Sequence, residues 1–196
     1  MRHIEGRRAN QSKRDFPAET LDRIRVILGE GRPADALAQL NKMVLAHDGF
    51  AEVYNLRGRC YKYLGMYDKA IQNYLKALEI NPRMGEAYKN LGNALLYTGR
   101  YTKMIPVFNK AISLMPNSAT TYNNRGFGYQ QIKKFDLAIR DHTRAIALDP
   151  NYAEAYMDRS NAYRAIGRFK EGIKDLAKFE ELKMTNKDTF MNVKMH

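Results

Sequence analysis

Asn55, Asn93, Asn123, Asn124, Gln130, Gln131 and Asn161 share one chemistry. A side-chain amide donates and accepts hydrogen bonds at once, which is what an extended peptide backbone requires of a partner. Arg59, Lys62, Lys89 and Arg164 add positive charge to this set, and Tyr63, Tyr97 and Phe127 add apolar area with little rotamer freedom to lose. That chemistry is recognition, not bond making. Polar residues of these types also solvate helix faces, and that reading stands beside the first. No catalytic set competes with them. Of four histidines, His3 and His196 are terminal, His47 falls in an expected connection, and His142 occupies a slot filled elsewhere by an aromatic ring. No His, Cys, Asp or Glu group has metal-ligand spacing. Gly126-x-Gly128 lies inside an expected helix and not between a strand and a helix, so it is no phosphate loop. No hydrolase or kinase nucleophile motif occurs. The chain is therefore expected to be no enzyme and to carry no cofactor and no metal.

The elements that must position these residues are repeats. Tyr54, Tyr88, Tyr122 and Tyr156 are spaced by 34, as are Gly58, Gly92 and Gly126, with Ser160 completing that set. Ala77, Ala111 and Ala145 follow the same period, and so do Pro82, Pro116 and Pro150. In residues 51–84, Val53, Tyr54, Arg57, Gly58, Cys60 and Tyr61 fall on one side of a helix. Gly65 ends it, because glycine enters the left-handed region without a Cβ penalty. Asp68 is expected to cap a second helix, whose apolar stripe is Ala70, Ile71, Tyr74, Ala77 and Leu78. Asn81-Pro82 stops it. The unit is a helix–turn–helix hairpin, with Gly58 and Ala70 expected where its two helices cross closely. Pro106 sits about one turn into the second helix of its unit, with Thr102 as the expected cap, so a kink or a shifted helix start is expected there.

These residues resemble the tetratricopeptide repeat: Tyr54-x2-Arg57-Gly58-x2-Tyr61, then Ala70-x3-Tyr74, then Pro82, with recurrences after each 34 residues. The resemblance implies an all-α, right-handed superhelical solenoid. Its expected parts are a polar basic leader at 1–16, a degenerate first repeat at 17–50, repeats at 51–84, 85–118, 119–152 and 153–184, and a capping helix or frayed tail at 185–196, where Phe190, Met191 and Val193 supply apolar contacts. Terminal repeats of an array are expected to be atypical, since one side lacks a neighbour. In similar proteins the first helices line a concave groove. The amide, basic and aromatic residues above would point into it, with Lys89, Asn93 and Asn124 converging midway. Relatives that bind acidic chaperone tails use a dicarboxylate clamp of Lys and Asn, then Asn, then Lys and Arg. Lys89, Asn93 and Asn124 match its first three places, but Glu154 and Asp158 stand in the last two and would repel a carboxylate. The clamp is broken.

A net charge of +12 from 33 Lys+Arg against 21 Asp+Glu favours acidic partners. Lys42, Lys76, Lys110, Arg144 and Lys178 recur every 34 residues on the second helices as a basic ridge. Binding to nucleic acid through that ridge would be weak, nonspecific and steeply lost with salt. The lone Cys60 and the lack of an apolar leader point to a reducing, cytoplasmic setting. No stretch approaches the roughly 20 apolar residues of a transmembrane segment. The expected function is a non-catalytic protein–protein interaction scaffold that binds a peptide or helix in its groove, with room for self-association. The alternatives are a nucleic-acid-binding repeat protein, or the interaction module of a larger enzyme or assembly factor.

Overall fold

The computed structural model describes residues 18–46 and 49–193, with side chains for 19–45 and 49–185. Ten α-helices and no strand occur among them. In order they are α1 Ala18–Gly29, α2 Pro33–Ala46, α3 Ala51–Tyr63, α4 Tyr67–Ile80, α5 Gly85–Tyr97, α6 Tyr101–Leu114, α7 Ala119–Gln131, α8 Phe135–Leu148, α9 Ala153–Ala165 and α10 Phe169–Val193. The leader 1–16 and the side chains from 186 onward lie outside the described residues, and with them the expected cap over the last hairpin. The last helix, α10, runs on to Val193, as the Met184 in the slot of the helix-stopping prolines implies. The fold is an all-α solenoid of helix–turn–helix hairpins.

The chain forms two compact units, Met1–Ala94 and Leu95–His196. In the first, α1 pairs with α2 and α3 with α4, and α3 packs back on α2. Ile24, Leu28, Ala36 and Leu40 of the first hairpin share one apolar cluster with Val53, Leu56 and Cys60 of α3. Hairpin one is thus welded to hairpin two despite its degenerate sequence. Cys60 is fully buried, and burial pushes its thiol up to about 11, so it is an inert core residue. In the second unit α7 pairs with α8 and α9 with α10, while α7 packs on α6, α9 packs on α8, and the first helices α7 and α9 touch each other.

Gly65 ends α3 with φ +72°, and the N–H groups of Gly65 and Met66 donate to the carbonyls of Lys62 and Tyr61 at 3.0 and 2.8 Å. This pair of bonds closes the last turn. The helix starts differ from expectation. Asp68 is not the cap of α4. Met66 holds that position without a side-chain bond, and Asp68 lies in the first turn, where a carboxylate favours the helix dipole. Likewise α6 begins at Tyr101, not after Thr102, in the same register as Tyr67 and Phe135. Pro106 is accommodated inside it, so the start is not shifted.

The repeated glycines mark close approaches. A Cβ on Gly58 would lie 2.5 Å from Cε1 of Tyr74, and one on Gly126 would lie 2.7 Å from Cε1 of His142. The ring sixteen residues on fills the space above the glycine. At Gly128 the obstacle is the Met104 methyl, the free end of a flexible side chain. Gly126→Ala is therefore expected to cost roughly 1–3 kcal/mol, since a fully buried ring cannot step aside. Gly128→Ala should cost far less, because Met104 can rotate and alanine gains about 1 kcal/mol of helix propensity. Urea melts of the two variants check this; equal losses would contradict it.

Candidate functional site: the first-helix face

In hairpins two, four and five an arginine ties the first helix to its partner helix. Arg125 on α7 donates to both carboxylate oxygens of Asp141 on α8 at 2.7 and 2.6 Å, and Arg159 on α9 does the same to Asp175 on α10 at 2.7 Å each. Arg57 makes a single bond of 2.6 Å to Asn73 in the same two slots. Each of Arg125 and Arg159 also reaches back to the preceding second helix, to Asn109 Oδ1 at 2.7 Å and to Thr143 Oγ1 at 3.0 Å. Tyrosines three before and four after flank the guanidiniums: Tyr122 and Tyr129 for Arg125, Tyr156 and Tyr163 for Arg159. The repeated tyrosines thus belong to the packing, as expected. What sequence reasoning missed is the clamp itself. Its signal was available, since Arg57/Asn73, Arg125/Asp141 and Arg159/Asp175 are all sixteen apart.

A second recurring bond ties first helix to first helix. Asn90 Nδ2 donates to Asn55 Oδ1 at 3.0 Å, and Asn123 Nδ2 donates to Asp158 Oδ2 at 2.8 Å, both across 35 residues. Asn123 Oδ1 also meets His142 Nδ1 at 2.7 Å, which makes Nδ1 the protonated nitrogen of a neutral ring. Nε2 of that ring is buried without a partner, as is the Tyr74 hydroxyl. Burial, with the charge of Arg159 added, lowers His142 to about 3.

These bonds correct two of the expected groove residues. Asn55 and Asn123 are each only 4 % exposed. Their amides are spent between hairpins, because an inner first helix is covered by its neighbours as well as by its own partner helix. Gln130 is half-buried and donates to the backbone carbonyl of Asp158. The other residues reach solvent. In the first unit Tyr63 is 55 % exposed with the Lys62 ammonium over its ring, Arg59 and Asn93 are half-buried, and Lys89 pairs with Glu86 at 2.8 Å. In the second unit Tyr97, Gln131, Asn161 and Arg164 are exposed. Asn124 and Phe127 are half-buried, and Phe127 stands edge-on to Tyr101 with centroids 6.4 Å apart.

Two acids share this face of α9. Glu154 is exposed, and Asp158 is half-buried. Burial raises the Asp158 pKa, the Asn123 hydrogen bond opposes that, and Glu154 one turn away adds to it. On the opposite helices the basic ridge is partly neutralised, with Lys76 on Glu79, Lys178 on Glu181 and Arg144 over the Tyr122 ring. Among the described residues no group of three or more His, Cys, Asp or Glu is placed to hold a metal ion, and no helix is long and apolar enough to cross a membrane.

Family models for the tetratricopeptide repeat match residues 51–84, 85–118 and 119–152. No curated protein matches the sequence. Among solved structures, a crystal structure of MamA is similar at 24% identity over 83% of this chain and 95% of that one, with a TM-score of 0.77. MamA 41-end from Desulfovibrio magneticus RS-1 is similar at 21% identity over 88% and 98%, with a TM-score of 0.80. YrrB, described as a TPR protein with an unusual peptide-binding site, is similar at 19% identity over 89% and 90%, with a TM-score of 0.74. With a 34-residue period, hairpins closed at glycine and three matched repeats, this chain belongs to the tetratricopeptide repeat family.

Proposed function

We propose that the chain is a non-catalytic scaffold that holds an extended segment of another protein on the exposed row of its first helices. One observation carries this reading. Asn123 is buried as a cross-bond that locks α7 to α9, while the residues next to it round the two helices reach solvent: Asn124, Phe127 and Gln131 on α7, Glu154 and Asn161 on α9. A rigid row of amides and an aromatic ring can fix a peptide backbone at low entropic cost. YrrB, similar in fold, is a peptide binder by its description. The acids on α9 set the polarity of the segment. Glu154 and Asp158 disfavour a carboxylate and favour a neutral or basic residue there.

Peptides selected from a random displayed library provide the test. Gln131→Ala with Asn161→Ala is expected to weaken a selected peptide by about 1–3 kcal/mol in calorimetry, with melting unchanged because both residues are exposed. Undiminished binding would remove this face from the function. Charge gives a second arm. Asp158→Asn places in that slot the residue that Asn90 and Asn124 already supply, and keeps an acceptor for Asn123. Combined with Glu154→Lys it should create affinity for an acidic peptide that the natural protein lacks. Tight binding of such a peptide by the natural protein would show that the two acids do not face the ligand.

A further inference from the structure

In an inner hairpin the hairpin before it covers one stripe of the first helix. Val53, Cys60, Ala155 and Ala162 lie on that stripe and are fully buried. Gly128, in the slot of Cys60 and Ala162, sits against Met104 of the preceding second helix. The arginine between them reaches back to the same helix, as Arg125 does to Asn109 and Arg159 to Thr143. On α1 the three slots hold Glu19, Arg23 and Val26, and all three are exposed, Val26 at 60 %. The stripe is present, and among the described residues nothing covers it.

The complementary surface on α10 is exposed among the described residues. Ile173 is 65 % exposed, whereas Ile71 in the same slot of hairpin two is 8 % exposed. Beside it opens a depression of about 410 Å³ lined by Tyr156, Arg159, Lys174, Asp175, Ala177, Lys178 and Glu181, with Arg159 already paired to Asp175. Ala177 occupies the slot of Asn109 and Thr143, the residues that receive the incoming arginine at the inner contacts. The depression is the place where the arginine of a following first helix would arrive.

We propose that α1 of a second copy of this chain docks on α10, in a head-to-tail contact that repeats the hairpin-to-hairpin contact within the chain. Arg23 of the incoming helix enters the depression over Ala177, with the Glu181 carboxylate one turn beyond. Glu181 is held by Lys178 only in an exposed pair at 2.6 Å, which exchanges at little cost. The contact is heterologous, so each copy has one donor face and one acceptor face. Neither face includes the first-helix residues assigned to peptide binding, so the two proposals stand or fall separately.

Sedimentation velocity over a concentration series tests it, with Val26→Glu and Ile173→Lys as variants at exposed positions and circular dichroism to show that helicity is retained. Wild type is expected to gain mass with concentration, and each variant alone should associate at least about tenfold more weakly. A mixture of the two variants should recover a one-to-one dimer, because Val26→Glu retains the acceptor face and Ile173→Lys the donor face. A wild type that stays monomeric at millimolar concentration would overturn the proposal. So would association that Ile173→Lys abolishes and Val26→Glu leaves intact, or a mixture that fails to recover the dimer.

Discussion

Asp141→Ala is expected to destabilise the protein by about 3–5 kcal/mol, because it leaves the Arg125 guanidinium buried without its carboxylate. The side chains are 17% and 5% exposed, so water cannot take the partner's place. Two milder variants separate this cause from a general intolerance of the site. Asp141→Asn copies hairpin two, where Arg57 is satisfied by Asn73, and should cost much less. Arg125→Leu with Asp141→Val installs the residues that hairpin three carries in these slots, Leu91 and Val107. A buried ion pair replaced by apolar residues is often neutral or stabilising, so the double variant should recover most of the loss. Urea unfolding of the three variants checks the order. A loss of 1 kcal/mol or less for Asp141→Ala would reduce the clamp to a surface ion pair.

Stability should fall by about 2 kcal/mol between pH 7 and pH 5 on account of His142 alone. The folded imidazole stays neutral down to about 3, whereas in the unfolded chain it takes up a proton near the ordinary 6.5. Between those values the unfolded state binds more protons, so stability is lost as the pH falls through 6.5. His142→Phe, which copies Phe108, removes the titration and should flatten the dependence. At pH 7 the same variant should be less stable by about 1–3 kcal/mol, since Asn123 Oδ1 loses its donor. Urea melts at pH 5, 6 and 7 separate the two effects. An unchanged slope in His142→Phe would mean that another group carries the pH dependence.

The period of 34 made the hairpins, the left-handed turn at Gly65 and the helix order legible in the sequence, because each rests on local chemistry repeated in phase. Helix starts were less legible. The N-terminus of α4 falls one residue before Asp68, where its cap is a backbone position with no side-chain signature. The site was half legible for a geometric reason. A helical wheel drawn for a single hairpin has one buried stripe, and Asn55 and Asn123 lie off it. An inner first helix is also covered by adjacent hairpins, which buries both amides and turns them to cross-bonding. The Arg125–Asp141 and Arg159–Asp175 pairs were legible only by comparing spacing inside the repeat with spacing between repeats. Hairpin three, with apolar residues in both slots, breaks the series.

Site-specific photo-crosslinking in native extract is the most direct test of a peptide-binding first-helix face. The crosslinking residue is placed at Gln131 or Asn161 on first helices, and at Ser113 or Arg144 on second helices, all four exposed. Crosslinks from Gln131 and Asn161 to one and the same polypeptide, with none from Ser113 and Arg144, are the expected result. Crosslinks to that polypeptide only from Ser113 and Arg144, or to nucleic acid in place of protein, would contradict it.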